Sequence, residues 1–121
     1  FLLSPIGFTK EMMEYTKAHG ILAIPAAMTP SEIQTQFNMG ADIVKVFPAR
    51  TVGPKFFKDV QAPLGKLRLM AVGGVGVNNY QEFFDNDCQY VGMGTGMFGN
   101  LNLDTASDEE IRTVLNTYLT K

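Results

Sequence analysis

The chain has 121 residues, 45% hydrophobic and 18% charged, with a net charge of −2, the composition of one ordinary soluble globular domain rather than a disordered segment. A pI near 5.3 leaves no basic field for nucleic acid or an anionic membrane, and no apolar run approaches the roughly 20 residues of a bilayer span. The single cysteine, Cys88, excludes an internal disulfide, and no signal-peptide pattern opens the chain, so a cytosolic (cytoplasmic) setting is expected.

Residues 1–4 are apolar enough for a core strand, ended by Pro5 and Gly7. They read as a strand already under way, so the natural polypeptide is expected to start further upstream. A helix follows, capped by Thr9 and stopped at Gly20, with Met12, Met13, Tyr15 and Ala18 as its apolar side. Residues 21–24 form a second buried strand ending at Pro25. Thr29, Pro30 and Glu32 then spell a capping-box helix start, continued by Ile33, Gln36, Phe37 and Met39 to Gly40. The segment DIVKVFPAR, residues 42–50, is a third strand that stops at Pro48. Gly53 and Pro54 open a helix through Phe56, Phe57 and Val60, closed by Pro63 and Gly65. Residues 67–72 form the fourth strand, Asn78 caps a helix over 79–84, and residues 90–93 form the fifth strand. Ser107, Asp108, Glu109 and Glu110 begin a last helix, whose acidic first turn suits the helix dipole and whose buried stripe is Ile111, Val114, Leu115 and Tyr118.

Strand and helix thus alternate five times, which argues an α/β fold with a parallel sheet and right-handed crossovers. Five units fit either a small doubly wound sheet or part of an eight-unit barrel. An open parallel sheet with two unpaired edges is expected not to fold well alone.

Lys45 is the anomaly. Alternation along its strand sets Ile43, Lys45 and Phe47 on one face and Val44 and Val46 on the other, so the amine shares its surface with apolar neighbours. Desolvation lowers a lysine pKa and supplies the neutral amine that attacks a carbonyl carbon. The plainer reading is a lysine whose stem lies on the strand while its head reaches the rim. Two glycine clusters, Gly73, Gly74, Gly76 and Gly92, Gly94, Gly96, close two successive strands at the same rim. Glycines there let backbone N–H groups approach a phosphate, and in barrels the phosphate cup commonly follows the last two strands. A single glycine pair is more often a turn or a close helix-to-strand contact. His19 suits a helix C-terminus, Cys88 has no metal-site or nucleophilic partner in sequence, and Asp42 at its strand start lies on the stability face.

At these residues the sequence resembles the 2-keto-3-deoxy-6-phosphogluconate (KDPG) and 2-keto-4-hydroxyglutarate (KHG) aldolase family. The likeness is carried by FLLSP, IPAAMTPSEI, DIVKVFPA, AVGGV and VGMGTGMF. It implies a TIM (βα)₈ barrel of which residues 1–121 are about the last five units. It also implies a class I aldolase that cleaves a 2-keto-3-deoxy-6-phospho sugar acid to pyruvate and glyceraldehyde 3-phosphate with no metal or cofactor, and a homotrimer. By the resemblance, Lys45 forms the imine, Pro25 and Phe47 line its pocket, and Gly73, Gly74, Gly94 and Thr95 hold the phosphate. The general base and a carboxylate-gripping arginine are expected on barrel units preceding FLLSP. Two positions depart from the family pattern: Val72 stands where threonine is common, and Arg50, expected to meet a substrate anion, stands where an acidic residue is common. The alternatives are a phosphate-binding barrel isomerase or epimerase without an imine, and a non-catalytic module that binds a phosphorylated metabolite.

Overall fold

A computed structural model describes residues 1–119. Its strands are β1 (Leu2–Leu3), β2 (Ala23–Ile24), β3 (Ala26–Ala27), β4 (Val44–Val46), β5 (Leu69–Val72) and β6 (Tyr90–Gly92). The helices are α1 (Lys10–Ala18), α2 (Pro30–Met39), α3 (Ala49–Val52), α4 (Lys55–Leu64), α5 (Tyr80–Asp85) and α6 (Asp108–Leu119), with a 3₁₀ turn over Thr95–Phe98. Every strand pair is parallel. The strands pair in chain order, β1 with β2 and then β3-β4-β5-β6. A doubly wound sheet reverses its strand order at a switch point; this one does not, which is the order of a barrel wall.

The expected strand stop at Pro25 is a change of partner instead. Before the proline, Ala23 and Ile24 pair with Leu2 and Leu3; after it, Ala26 and Ala27 pair with Lys45 and Val46. Proline offers no N–H to a ladder, and the Ala26 N–H turns to the carbonyl of Ile6 at 3.0 Å. The chain therefore runs on past Pro25 rather than ending there.

The core lies on one face of the sheet. Val44, Val46, Leu69 and Ala71 are fully buried against Ile33 of α2, Phe57 and Val60 of α4, and Phe83 of α5. Phe57 and Phe83 meet edge to face with centroids 5.5 Å apart, a favoured aromatic geometry. Because strand side chains alternate, the intervening residues point to the other face. The register aligns Ala26, Lys45, Met70 and Tyr90 in one row across four strands, with Val72 opposite Gly92 one step further on.

Several elements differ from the sequence reading. Leu2 and Leu3 are 39% and 42% exposed, and among the described strands β1 pairs with β2. In α1, Thr9 caps as expected by accepting the Met12 N–H at 3.2 Å. The face that packs is Met13 and Thr16, whose hydroxyl donates to the Met13 carbonyl; Tyr15 is exposed and stacks on His19. A four-residue helix, α3, precedes α4, and α4 continues through Pro63 to Leu64. The N-cap of α5 is Asn79, not Asn78. In α6 no residue is fully buried, though the Tyr118 ring packs against the core and its hydroxyl donates to the Met97 carbonyl. The capping box of α2 forms as read, and Gly40 ends that helix in the left-handed conformation at φ 117°.

Two polar ties hold the α1–α2 region to the sheet. The buried amide of Gln36 accepts the Phe8 N–H at 3.1 Å and donates to the Phe8 carbonyl at 3.3 Å. The Asp42 carboxylate accepts the Ala23 N–H at 2.8 Å and pairs with Lys17 at 3.1 Å. Partial burial raises the Asp42 pKa, but the Ala23 N–H and the charges of Lys17 and Arg68 outweigh it, leaving the carboxyl below its ordinary value.

Replacing Gln36 with Leu strands two buried main-chain groups. It should lower unfolding free energy by about 2–4 kcal/mol in denaturant titration, whereas Gln34→Ala on the exposed side should stay within about 0.5 kcal/mol. A carboxyl whose folded pKa is depressed contributes stability that is present above its unfolded pKa and lost as pH falls through the folded value. Acid titration should therefore show a loss that starts as pH drops below the ordinary 3.8, and Asp42→Asn should remove that part of the slope.

Candidate active site

β4 lies between β3 and β5 and is hydrogen-bonded on both sides, the Lys45 N–H to the Pro25 carbonyl at 2.8 Å and the Val44 N–H to Arg68 at 3.0 Å. That pins the strand's alternation. Val44 and Val46 enter the helix-covered core, and Lys45 is driven onto the opposite face at 5% exposure. Its Nζ sits 4.8 Å from the centre of the Phe47 ring, and among the described residues no carboxylate pairs with it. A ring face attracts a cation, but desolvation prevails: burial pushes the Lys45 ammonium below the usual lysine range.

Beyond Lys45 the chain turns through Pro48 into α3, and this short helix is seated on the first glycine cluster. The Arg50 N–H donates to the Gly73 carbonyl at 3.0 Å. A Cβ on Gly73 would lie 3.0 Å from Pro48 Cα, and one on Gly74 would lie 2.7 Å from Arg50 Cβ; both glycines have positive φ, 98° and 77°. No other residue fits there without displacing α3. The ends of β4 and β5 are thereby locked together, with Arg50 laid over Gly74.

The two glycine clusters also interlock with each other. A Cβ on Gly76 would meet the Gly96 carbonyl at 2.7 Å, and the Val77 N–H donates to that same oxygen at 3.0 Å. Asn79 closes the first loop, accepting the Gly76 N–H at 2.8 Å and donating to the Gly74 carbonyl at 2.9 Å. Gly94 is different: a side chain there would meet nothing within 4 Å, so packing does not require glycine and the position faces open space. Among the described residues, the N–H groups of Gly74, Gly94, Thr95 and Gly96 have no acceptor. The loops enclose a cleft of about 560 Å³ walled by Val72, Gly73, Gly74, Gly94, Thr95 and Asn100 among others.

Of the residues singled out in the sequence, Gly73, Gly74, Gly94 and Thr95 come together in this cleft, and Lys45, Phe47 and Arg50 lie beside it rather than in its wall. Lys45 is one strand over and two residues back from Val72 along the same face, roughly 8 Å by sheet geometry. Pro25 is fully buried and contributes the carbonyl that receives the Lys45 N–H. The neighbour on the lysine's own row is Ala26. Asn79 was missed because adjacent asparagines at a helix start offer two equivalent caps. Tyr118 packs its ring against the core as expected, and in addition its hydroxyl donates to the Met97 carbonyl at 2.5 Å.

Other reactive groups lie elsewhere. Burial pushes the Cys88 thiol up to about 11, which keeps it protonated and unreactive. His19 is exposed at the end of α1, its ring nitrogen against the Tyr15 carbonyl. A second cleft of about 510 Å³, by Lys58, Gln61, Lys66 and Cys88, opens at the opposite rim, where the strands begin. Among the described residues no cluster of three His, Cys, Asp or Glu could hold a metal, and no helix is long and apolar enough to cross a membrane.

Comparison with known proteins bears on this arrangement. The sequence model of the KDPG and KHG aldolases matches residues 1–114. The 2-dehydro-3-deoxy-6-phosphogalactonate aldolase of Escherichia coli K12 is 29% identical over 89 residues, covering 73% of this chain and 43% of that protein. The chain thus spans less than half the length of that curated relative. A structure described as native KDPGal superposes with a TM-score of 0.75 at 24% identity, over 98% of this chain and 59% of the other. The KDPG aldolase of Legionella pneumophila, with pyruvate captured as a covalent carbinolamine, gives 0.69 at 23% identity, over 96% and 51%. At these identities the structural likeness speaks to the fold, a TIM-type α/β fold. With strands in barrel order and a family match reaching from residue 1 to residue 114, the chain belongs to the KDPG and KHG aldolase family.

Proposed function

We propose that the chain is the C-terminal part of a single (βα)₈ barrel domain of a class I aldolase, which cleaves a 2-keto-3-deoxy-6-phospho sugar acid to pyruvate and glyceraldehyde 3-phosphate. The observation that carries this reading is Lys45: a buried amine in the middle of a central strand, facing away from the helices, without a carboxylate partner among the described residues. Burial favours the neutral amine, the form that acts as a nucleophile.

In the proposed reaction Nζ adds to the keto carbon to give a carbinolamine, which loses water to form an imine. Protonated, the imine draws in the electron pair of the bond between C3 and C4 as the C4 hydroxyl gives up its proton. That bond breaks, the aldehyde leaves, and the enamine takes a proton at C3 before water releases pyruvate and the free amine. Phe47 lies against the amine and helps exclude water from it. The row beside Lys45 carries no carboxylate, being Ala26, Met70 and Tyr90. As the family resemblance implies, the base for the C4 hydroxyl is assigned to barrel units of the family that this chain does not span. The unpaired N–H groups of Gly74, Gly94, Thr95 and Gly96, with the Thr95 hydroxyl, suit the phosphate of the aldehyde half. Arg50, exposed and laid over Gly74, is assigned to a substrate anion at the mouth. A homotrimer in the cytosol completes the proposal.

Incubation with pyruvate and borohydride should fix an adduct on the peptide holding Lys45, and Lys45→Met should abolish it; absence of any adduct would overturn the imine. The trapping rate should rise with pH as the amine loses its proton and level off below 10.5, the value of a free lysine side chain. For Arg50→Ala, KM for the phosphorylated substrate should rise about tenfold, as for loss of a charge-assisted hydrogen bond, and KM for pyruvate should stay close to its original value. Equal effects on both would count against the role given to Arg50.

A further inference from the structure

α6 packs against the 3₁₀ turn, and Tyr118 reaches the second glycine loop directly and the first by way of Tyr80. The Tyr118 hydroxyl donates to the carbonyl of Met97, inside the 3₁₀ turn that presents Thr95 and Gly96. The same residue's ring meets Tyr80 edge-on, with centroids 5.4 Å apart. Tyr80 in turn is tied to the first loop, its N–H donating to the Gly76 carbonyl at 3.0 Å. Between these anchors the loops touch directly, Gly76 against Gly96 and the Val77 N–H on the Gly96 carbonyl.

Apart from Tyr118, the 3₁₀ turn is held from outside by the Val77 N–H on the Gly96 carbonyl. It is four residues long, none of them buried, and its N-cap Gly94 has no side-chain bond to hold it. Short 3₁₀ segments have weak internal hydrogen bonds, so the direction of the Thr95 and Gly96 N–H groups depends on what grips the turn from outside. Tyr118 is the grip from α6. We infer that Tyr118 is a positioning residue: from outside the cleft it holds the two glycine loops as one anion-binding cup, so that docking of the last helix sets the strength of phosphate recognition. This rests on the phosphate assignment made above, and it concerns a residue that is not among those walling the cleft. Lys45 lies on a separate strand held by main-chain bonds to its neighbours, so imine formation should be insensitive to the tyrosine.

Tyr118→Phe removes the hydroxyl and keeps the ring against Tyr80; Tyr118→Leu removes both. In Tyr118→Phe the KM for glyceraldehyde 3-phosphate in the condensation direction should rise about three- to tenfold, the scale of one lost hydrogen bond. The KM for unphosphorylated glyceraldehyde and the rate of borohydride trapping with pyruvate should not move. Inorganic phosphate, titrated directly by calorimetry, should bind more weakly by the same factor, and Tyr118→Leu should exceed the Phe variant on every phosphate readout. Unchanged phosphate binding in both variants would overturn the inference. So would an equal loss for phosphorylated and unphosphorylated aldehydes, or a wild-type protein that does not bind phosphate. The trapping result on the wild type is independent of all three, so failure of the cup and failure of the imine are told apart.

Discussion

The constraint on which the rim depends is the pinning of β4 between two parallel neighbours. Main-chain bonds to Pro25 and Arg68 fix the strand's rotation, and once Val44 and Val46 are committed to the helix-covered core, Lys45 has only the other face. A lysine is seldom buried without a partner. Here it is held by the packing of its strand neighbours rather than by any attraction of its own. The cost of removing the ammonium from water appears as a lowered pKa, so the forces that build the sheet also prepare the amine.

The second organising feature is steric. Gly73 and Gly74 are where α3 presses onto the end of β5, and Gly76 and Gly96 are where one loop presses onto the other. These glycines were read from the sequence as places for a phosphate to approach. Five of the six positions, Gly73, Gly74, Gly76, Gly92 and Gly96, instead have a neighbour of the protein itself where a side chain would go. Only Gly94 faces open space. The two readings are compatible: the glycines pack the loops closely, while the N–H groups of Gly74, Gly94, Thr95 and Gly96 keep no acceptor among the described residues and so stay open to an anion.

Around this, the polar ties divide the work. Gln36 and Asp42 fasten α1 and α2 to the early strands, well away from the rim. Asn79 and Tyr118 fasten the glycine loops. The amine and the cup are thus supported by separate contacts, joined through Arg50 and α3, which tie the end of the lysine strand to the first glycine of the cup.

Much of this was legible in the chain itself. Alternating apolar runs and helix signals marked the α/β class, the capping box at Thr29 and Glu32 and the Thr9 cap were read at their correct residues, and Lys45 stood out because a charge interrupts a buried strand. Each of these is a local property, decided by residues within one turn or one strand. The structure decided what depends on distant partners. It carried the chain past Pro25 by offering a new strand beyond it. It buried Thr16 in place of Tyr15, and it turned Asn79 back into a loop and Tyr118 onto Met97. Asn79 reaches back only three to five residues, but Pro25 and Tyr118 answer to segments far away in sequence, because burial and hydrogen bonding are satisfied in space, while periodicity records only what lies along the chain.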